Sequence, residues 1–283
     1  MTNNKEAFNQ FIHSSNADGS GKASSYIRAL DLLCEMLQVH SCGFDDCKNV
    51  WSVLSVDRLQ ALYLHVLAEA RKKDASVWNI QGIPKSYLQS GYCSAALKSY
   101  QEFLVGYNYE NAVLNAFAEF KGDEADVVKK LDMDLEYPSF LIDEHAERVG
   151  KEVTRLVSVR SNQNIFRKMI LKIYNETCCV TGLDVPDVLR ASHIIPWAAD
   201  RDMRIDPRNG LCLSATYDAA FDRNLISFDD EYRLIVSRDI KDHYMSNSVK
   251  NYFLNKQGDK ITLPSSYLPH KDYLENHRNK GKF

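Results

Sequence analysis

Hydrophobic residues recur every three to four positions along several stretches of the chain, and this spacing predicts amphipathic helices. Ser24 and Ser25 stand before the first of these stretches, where a hydroxyl side chain is expected to cap the helix. Together the stretches predict an N-terminal part that is entirely helical. The predicted helices cover residues 24–38, 56–73, 93–106 and a stretch within 107–130.

The pattern changes after residue 160. One more helix is predicted over residues 162–175, and short extended runs separated by turn residues follow it, as expected of strands. Two of these runs flank Asp229–Glu231 and predict a β-hairpin, and residues 215–223 fit a short helix capped by Ser214. The predicted fold class is therefore α+β, mainly helical. Its predicted parts are a helical domain over 1–130 that binds DNA or a partner, an acidic connector over 131–154 and a second domain over 155–283.

Composition narrows the class of protein. Of the 283 residues, 45% are hydrophobic and 26% charged, which excludes collagen-like, disordered and disulfide-scaffold chains. No apolar run approaches the ~18 residues of a membrane span, and the first residues lack the apolar core of a secretory signal. The seven cysteines are odd in number and are predicted to be reduced thiols. We therefore expect a cytoplasmic protein that does not bind membranes.

Charge is unevenly distributed along the chain. Residues 1–106 carry 10 basic and 10 acidic side chains, residues 107–150 carry 4 and 11, and residues 151–283 carry 21 and 17. The net charges are 0, −7 and +4, which sum to the total of −3. Because a local basic patch matters more for nucleic-acid binding than the total charge, this total does not exclude a nucleic-acid partner.

Residues 178–228 contain the candidate chemistry. A predicted strand ends at His193, a loop containing Asn209 follows, and after a second strand a short helix presents Asp218 and Asp222. Phosphodiester hydrolysis needs a base for the attacking water and a cation for the developing charge. A neutral imidazole suits the first role, a carboxylate that binds Mg²⁺ suits the second, and an Asn side chain can hold the loop. The order of strand, loop, strand and helix is typical of a ββα-metal site.

These segments resemble the HNH endonucleases. The resemblance rests on Ala-Ser-His-Ile-Ile-Pro-Trp, Asn-Gly-Leu-Cys-Leu-Ser and Asp-x-x-Phe-Asp, together with Asn-Ile-Phe-Arg upstream, a Cys-x-x-Thr-Gly turn and a proline-containing tail, and it covers about residues 155–283. It implies a Mg²⁺- or Mn²⁺-dependent endonuclease that acts on duplex DNA. By resemblance His193 is the general base, Asn209 positions the loop, Asp218 is the first metal ligand and Asp222 a second candidate. The layout also resembles effectors of bacterial restriction or phage defence, including the Zorya type, in which other defence proteins would be partners.

Two departures from the HNH pattern change these expectations. Many HNH enzymes have Asp or His directly before the base as a metal ligand, whereas this sequence has Ser192. The metal is then held weakly through Asp218 and waters, or Asp222 supplies a second ligand. Many relatives also bind a structural zinc through two CxxC pairs. Here Thr181 and Ala215 stand where the second cysteines would be, so the sequence predicts no structural zinc.

Several alternatives stay open at the level of sequence. Asn209 and Gly210 can form a turn with positive φ, and Cys178 and Cys179 are predicted to be buried packing residues. A weak metal site would suit a DNA-binding module. An RNA nuclease is a third alternative, because the site recognises a phosphodiester and not a sugar. With one site per chain, a monomer nicks one strand, and a double-strand break needs a dimer or two cleavage events. Five arginines near the motif are candidates for phosphate contacts, although a solvated surface explains any one of them: Arg190, Arg201, Arg204, Arg208 and Arg223. Three histidines have no partner that the sequence assigns and are taken as surface or tail residues: His243, His270 and His277.

Overall fold

The computed structural model describes residues 4–15, 21–141, 147–196, 203–243 and 246–283. The protein is α+β and mainly helical, which confirms the predicted fold class. The described strands form two separate antiparallel pairs, β1 (Leu189–His193) with β2 (Gly210–Ser214), and β3 (Ile226–Phe228) with β4 (Leu234–Val236). The described helices are α1 (Asn4–Ser15), α2 (Lys22–Val39), α3 (Val56–Arg71), α4 (Lys85–Gln89), α5 (Tyr92–Glu119), α6 (Val127–Leu131), α7 (Glu147–Ile173), α8 (Ala215–Asp222), α9 (Arg238–His243), α10 (Asn247–Tyr252) and α11 (Lys271–Arg278).

The contacts divide the chain into two compact units. The first comprises Met1–Tyr109 and Leu135–Leu156, and the second comprises Glu110–Asp134 and Val157–Phe283. Helix α7 begins at Glu147, so it is longer than the helix predicted over 162–175 and starts inside the predicted connector. The division into domains over 1–130 and 155–283 stays a prediction about independent folding.

Aromatic side chains fill much of the core of the first unit. Phe8 on α1 packs edge-on against Tyr100 on α5 at 5.1 Å between ring centroids, and Trp51 and Phe103 also contact Phe8. The hydroxyl groups of Ser24 and Ser25 donate to the carbonyl oxygen of Gly21 at 3.0 Å each, inside the first turn of α2. The helix begins at Lys22, and its N-cap position is held by Gly21 without a side-chain cap. The prediction that the serines cap this helix is therefore wrong.

The core of the second unit forms between α7 and the β1–β2 hairpin. Phe166 and Ile170 lie four residues apart on one face of α7, and Tyr174 follows directly after the helix; all three are buried in this core. Gly210 begins β2 directly opposite His193. A Cβ atom on Gly210 would lie 2.2 Å from Cδ1 of Ile170 and 2.8 Å from Cζ of Phe166, so only glycine lets the helix approach the strand this closely.

Gly210 has an extended backbone with φ of −131°, and Asn209 ends a 3₁₀ turn that runs over Pro207–Asn209. The alternative of a turn with positive φ at Asn209-Gly210 is therefore wrong, since packing rather than backbone freedom requires the glycine. Ser214 occupies the N-cap position of α8 but makes no side-chain cap, and its backbone N–H donates to Sγ of Cys178 at 3.2 Å.

The C-terminal tail packs into the second unit through α11. His277 lies in this tail but is not at the surface, because it is 5% exposed and stacks on Phe221 with 3.8 Å between ring centroids. Its Nε2 donates to the carbonyl oxygen of Phe221 and its Nδ1 accepts from the hydroxyl of Ser227, which satisfies a neutral imidazole on both sides. His270 is half-buried and caps α11, while the side chain of His243 lies outside the described part. No described helix combines the length and the apolar composition that crossing a membrane requires.

Candidate active site

The β1–β2 hairpin and α8 place the predicted site residues around the end of β1. The antiparallel register pairs Leu189 with Ser214 at one end and His193 with Gly210 at the other. Arg167 on α7 fixes the start of β1, because its guanidinium donates to the carbonyl oxygens of Leu189 at 2.8 Å and Pro186 at 3.0 Å. The strand that ends in His193 is thus supported by a helix along its length.

His193 is half-buried at the end of β1. Its imidazole stacks on Phe166 with 3.6 Å between ring centroids and 14° between the planes. Nε2 lies 3.0 Å from the carbonyl oxygen of Arg204, and because a carbonyl only accepts, Nε2 carries the proton. Burial lowers the pKa of His193 below its ordinary value, and the carbonyl of Arg204 opposes this shift in part. The neutral ring therefore holds its lone pair on Nδ1, as a general base requires.

Asn209 closes the loop that follows His193. Its side chain is fully buried, and its Oδ1 accepts from the backbone N–H of Ile195 at 2.7 Å. Its Nδ2 donates to the carbonyl oxygens of Ile195 at 3.2 Å and Met203 at 3.0 Å. The Asn209 carbonyl also accepts from the N–H of Ile194 at 2.9 Å. This geometry supports the loop-positioning role that the resemblance implies.

Asp218 and Asp222 lie one turn apart on α8. The hydroxyl of Ser192 donates a short hydrogen bond to Oδ1 of Asp218, so the residue directly before His193 contacts the predicted metal ligand. Asp222 is exposed as a residue, but neighbouring protein atoms partly remove water from its carboxyl group, and this raises its pKa. The negative charge of Asp218 raises this pKa further. A bound cation would relieve the repulsion between these two carboxylates.

The donor set at this position suits a hard cation. Two carboxylates supply oxygen atoms, and Mg²⁺ binds through a few such ligands while it keeps several waters. Within the ranges that the structure describes, no three His, Cys, Asp or Glu side chains lie close enough to hold a metal on their own. The residues therefore fit a weakly held Mg²⁺ or Mn²⁺ with water in the remaining positions.

The four described candidate arginines differ in their environments. Arg208 binds Asp206 with two hydrogen bonds of 3.0 and 2.8 Å, and Asp206 is 1% exposed, so this guanidinium is held by a buried carboxylate. Arg190 and Arg223 are exposed and donate to carbonyl oxygens of their own segments, Arg190 to Asp187 and Leu189 and Arg223 to Ala219. Arg204 is half-buried, and its backbone carbonyl oxygen accepts the hydrogen bond from Nε2 of His193. Arg201 lies outside the described residues.

Cys178, Cys179 and Cys212 belong to the core of the second unit. All three are buried, which confirms the predicted packing role of the first two. Burial raises the pKa of Cys212 to about 12 and that of Cys179 well above its ordinary value, so these thiols stay protonated at neutral pH. Cys179 also donates its N–H to the carbonyl oxygen of Cys212 at 2.9 Å, which ties the Cys-x-x-Thr-Gly turn to β2.

Three supporting residues were not identified from sequence. The inward position of Phe166 follows from the helical period, but its ring partner does not. Arg167 is a polar residue on a helix and would be taken as solvated without the structure. Asp206 has a local sequence signal, because Asp followed by Pro is typical of a capped turn, and its side chain accepts from the N–H of Arg208 at 2.9 Å.

Comparison with known proteins agrees with this geometry. The family model of the HNH endonucleases matches residues 178–229, which include β1, β2, α8 and the side chains of His193, Asn209, Asp218 and Asp222. No curated protein matches the chain. HNH nucleases act on DNA and generally use a divalent metal ion. Residues 178–229 of this chain are therefore similar to the HNH endonuclease family.

Proposed function

We propose that this protein is a divalent-metal-dependent endonuclease that hydrolyses phosphodiester bonds of duplex DNA with His193 as the general base. The observation that carries the proposal is the environment of His193. The bond from Nε2 to the Arg204 carbonyl selects the tautomer whose Nδ1 accepts a proton. Burial lowers the pKa of His193, which keeps the ring neutral and able to accept a proton at physiological pH.

His193 takes one proton in the proposed reaction. Nδ1 accepts it from a water molecule as the water oxygen forms its bond to phosphorus, and the bond from phosphorus to the leaving oxygen breaks. Asn209 acts indirectly, because its three side-chain bonds keep residues 195 and 203 together and hold the loop that carries the Arg204 carbonyl. A neutral base at the end of a fixed strand needs no rearrangement before the proton moves.

Asp218 is the proposed first ligand of Mg²⁺ or Mn²⁺, and Asp222 the second. A bound divalent ion supplies charge stabilisation to the phosphate and the leaving oxygen. Ser192 donates to Asp218 and so fixes the orientation of its carboxylate. Phosphate contacts are proposed for Arg190 and Arg223, which are exposed. Arg208 is bound to Asp206, so its main proposed role is to stabilise the loop.

The direct experiment is cleavage of supercoiled plasmid in Mg²⁺, Mn²⁺ or chelator. We expect the wild type to convert supercoiled plasmid to the nicked form only with metal, and we expect His193→Ala to lose this activity. His13→Ala, which removes an exposed histidine from α1, is the matched control and should cleave as the wild type does. Equal cleavage by His193→Ala and the wild type would contradict the proposal.

A second candidate is a DNA-binding module that does not cleave. Ser192 favours it, because the usual ligand before the base is missing and no three-ligand cluster is found among the described side chains. Thermal unfolding with added Mn²⁺ distinguishes the two, since an ion that binds only the folded protein raises its Tm. A Tm that rises for the wild type and not for Asp218→Ala favours the enzyme. An unchanged Tm, with DNA binding retained and no cleavage, favours the module.

Three finer features stay predictions from the resemblance. One site per chain predicts a single-strand nick by a monomer, and a double-strand break would need a dimer or two cleavage events. A role in bacterial restriction or phage defence, with other defence proteins as partners, is a further prediction. RNA cleavage is tested by offering a labelled RNA duplex beside a DNA duplex of the same sequence.

A further inference from the structure

The aromatic ring of Phe166 lies directly against the proposed base. Its centroid is 3.6 Å from that of the His193 imidazole, and the two planes differ by 14°. Phe166 is 1% exposed and sits in the middle of the buried face of α7, so it is held by the core and not by the histidine. A fixed ring in face-to-face contact restricts the imidazole to planes nearly parallel to its own.

Two features of the surroundings keep Phe166 in this place. Gly210, the strand partner of His193, has no side chain, and a Cβ there would lie 2.8 Å from Cζ of Phe166. The next residue along the helix, Arg167, donates to the carbonyl oxygens of Leu189 and Pro186 at the other end of β1. The helix is thus joined to both ends of the strand, by hydrogen bonds at the start and by ring stacking at the end.

The plane of an imidazole decides where its two nitrogens point. The bond from Nε2 to the Arg204 carbonyl fixes one direction within the ring, but this bond does not by itself fix the plane of the ring. Contact with a flat neighbour fixes that plane. The hydrogen bond and the stacked ring together therefore define the direction of the lone pair on Nδ1.

From this we infer that Phe166 is a positioning residue of the nuclease site, one that sets the plane of the His193 ring so that Nδ1 faces the attacking water. The inference rests on the proposed function for its catalytic consequence. Its structural half, the fixed plane and tautomer of His193, can be measured without cleavage.

The test compares Phe166→Leu with Met169→Leu. The first change keeps an apolar side chain and removes the flat ring, and the second alters a fully buried residue on the same helix at similar cost to packing. Protein with ¹⁵N-labelled histidine is titrated by NMR, with the His193 signals identified by their loss in His193→Ala. Nicking of supercoiled plasmid in Mn²⁺ is measured on the same samples. If Phe166→Leu does not fold, Phe166→Met serves in its place.

We expect Phe166→Leu to lower kcat by about 10- to 100-fold, the size of effect that a misplaced catalytic group produces, with KM for DNA unchanged within about twofold. Once the ring can turn, its Nε2–H bond to the Arg204 carbonyl should weaken, and the tautomer of His193 should become mixed. Met169→Leu should match the wild type in both measurements. A wild-type tautomer and wild-type kcat in Phe166→Leu would overturn the inference. A changed tautomer in a protein that never cleaves would uphold the positioning role and reject the proposed function.

Discussion

Asn209 offers a quantitative test of how the site is built. Replacement by Ala removes three hydrogen bonds at a fully buried position, those to the N–H of Ile195 and to the carbonyl oxygens of Ile195 and Met203. A buried hydrogen bond contributes about 1 kcal/mol net, so Asn209→Ala should cost about 3 kcal/mol of stability. The backbone groups left behind lie in the loop that supports His193, and cleavage should fall with stability.

The substitution Asn209→Asp is a sharper test, because the side chain of Asp has nearly the same shape as that of Asn. One carboxylate oxygen can still accept from the N–H of Ile195, but the other would face two carbonyl oxygens at about the distances of the present bonds, 3.0 and 3.2 Å. An ionised carboxylate should therefore cost at least as much as Ala at neutral pH. Its protonated form regains one donor, so its pKa in the folded protein lies above the unfolded value. The cost is then present at neutral pH and shrinks as pH falls through that raised pKa.

Urea unfolding at pH 7.5 and 5.5 measures these differences for wild type, Asn209→Ala and Asn209→Asp. Hydrogen exchange at the Ile195 amide gives a local measure, and protection should be lost in Asn209→Ala and partly kept in Asn209→Asp. The account is refuted if Asn209→Ala unfolds at the wild-type urea concentration, or if Asn209→Asp is as stable as the wild type at pH 7.5. Either result would mean that the loop does not depend on this side chain.

Three further predictions concern the same unit. Burial lowers the pKa of His277 to about 4, so between about pH 6.5 and 4 the unfolded chain binds a proton that the folded protein does not, and stability should fall by about 3 kcal/mol over this range. Urea unfolding at pH 7, 6 and 5 should show that stability falls less steeply with pH in His277→Gln than in the wild type. The same dependence of stability on pH in both proteins would be the contrary result. Gly210→Ala should cost about 2 kcal/mol because its Cβ would lie 2.2 Å from Ile170, and Ile170→Val should restore part of the Tm; no loss of Tm would contradict the packing argument. Arg208→Gln leaves the buried carboxylate of Asp206 without its countercharge and should cost about 3 kcal/mol by calorimetry. Arg190→Gln at an exposed position should cost little, and equal losses would refute this difference.

The helices and the hairpins were largely predictable from the sequence. The period of Leu30, Leu33 and Leu37 locates α2 to within two residues at its start, and the runs on either side of Asp229–Glu231 do form β3 and β4. The length of α5 was not predictable, because Gly106 and the polar stretch after it weaken the pattern, while the structure continues the helix to Glu119. Local pattern specifies the type of an element better than its ends.

The candidate site was predictable in its residues but not in its contacts. His193, Asn209 and Asp218 stand at readable positions along the sequence, and the structure places them at the end of β1, in the loop and on α8. The stacking of His193 on Phe166 joins residues 27 positions apart, and the bond between Ser192 and Asp218 joins residues 26 apart. Such pairs depend on how helices pack on the hairpin, which no local pattern contains. The burial of His277 was not predicted for the same reason, since it depends on the packing of α11 against β3 and α8.

The rate of plasmid nicking as a function of pH tests the role of His193 most directly. With Mn²⁺ present, the wild type should show a rate that falls at acid pH with a midpoint below 6.5, because burial lowers the pKa of His193. His193→Ala should be slower by about 100-fold or more and should lack that acid limb. A wild-type rate that does not fall at acid pH, or a His193→Ala protein that keeps both rate and limb, would show that another group takes the proton.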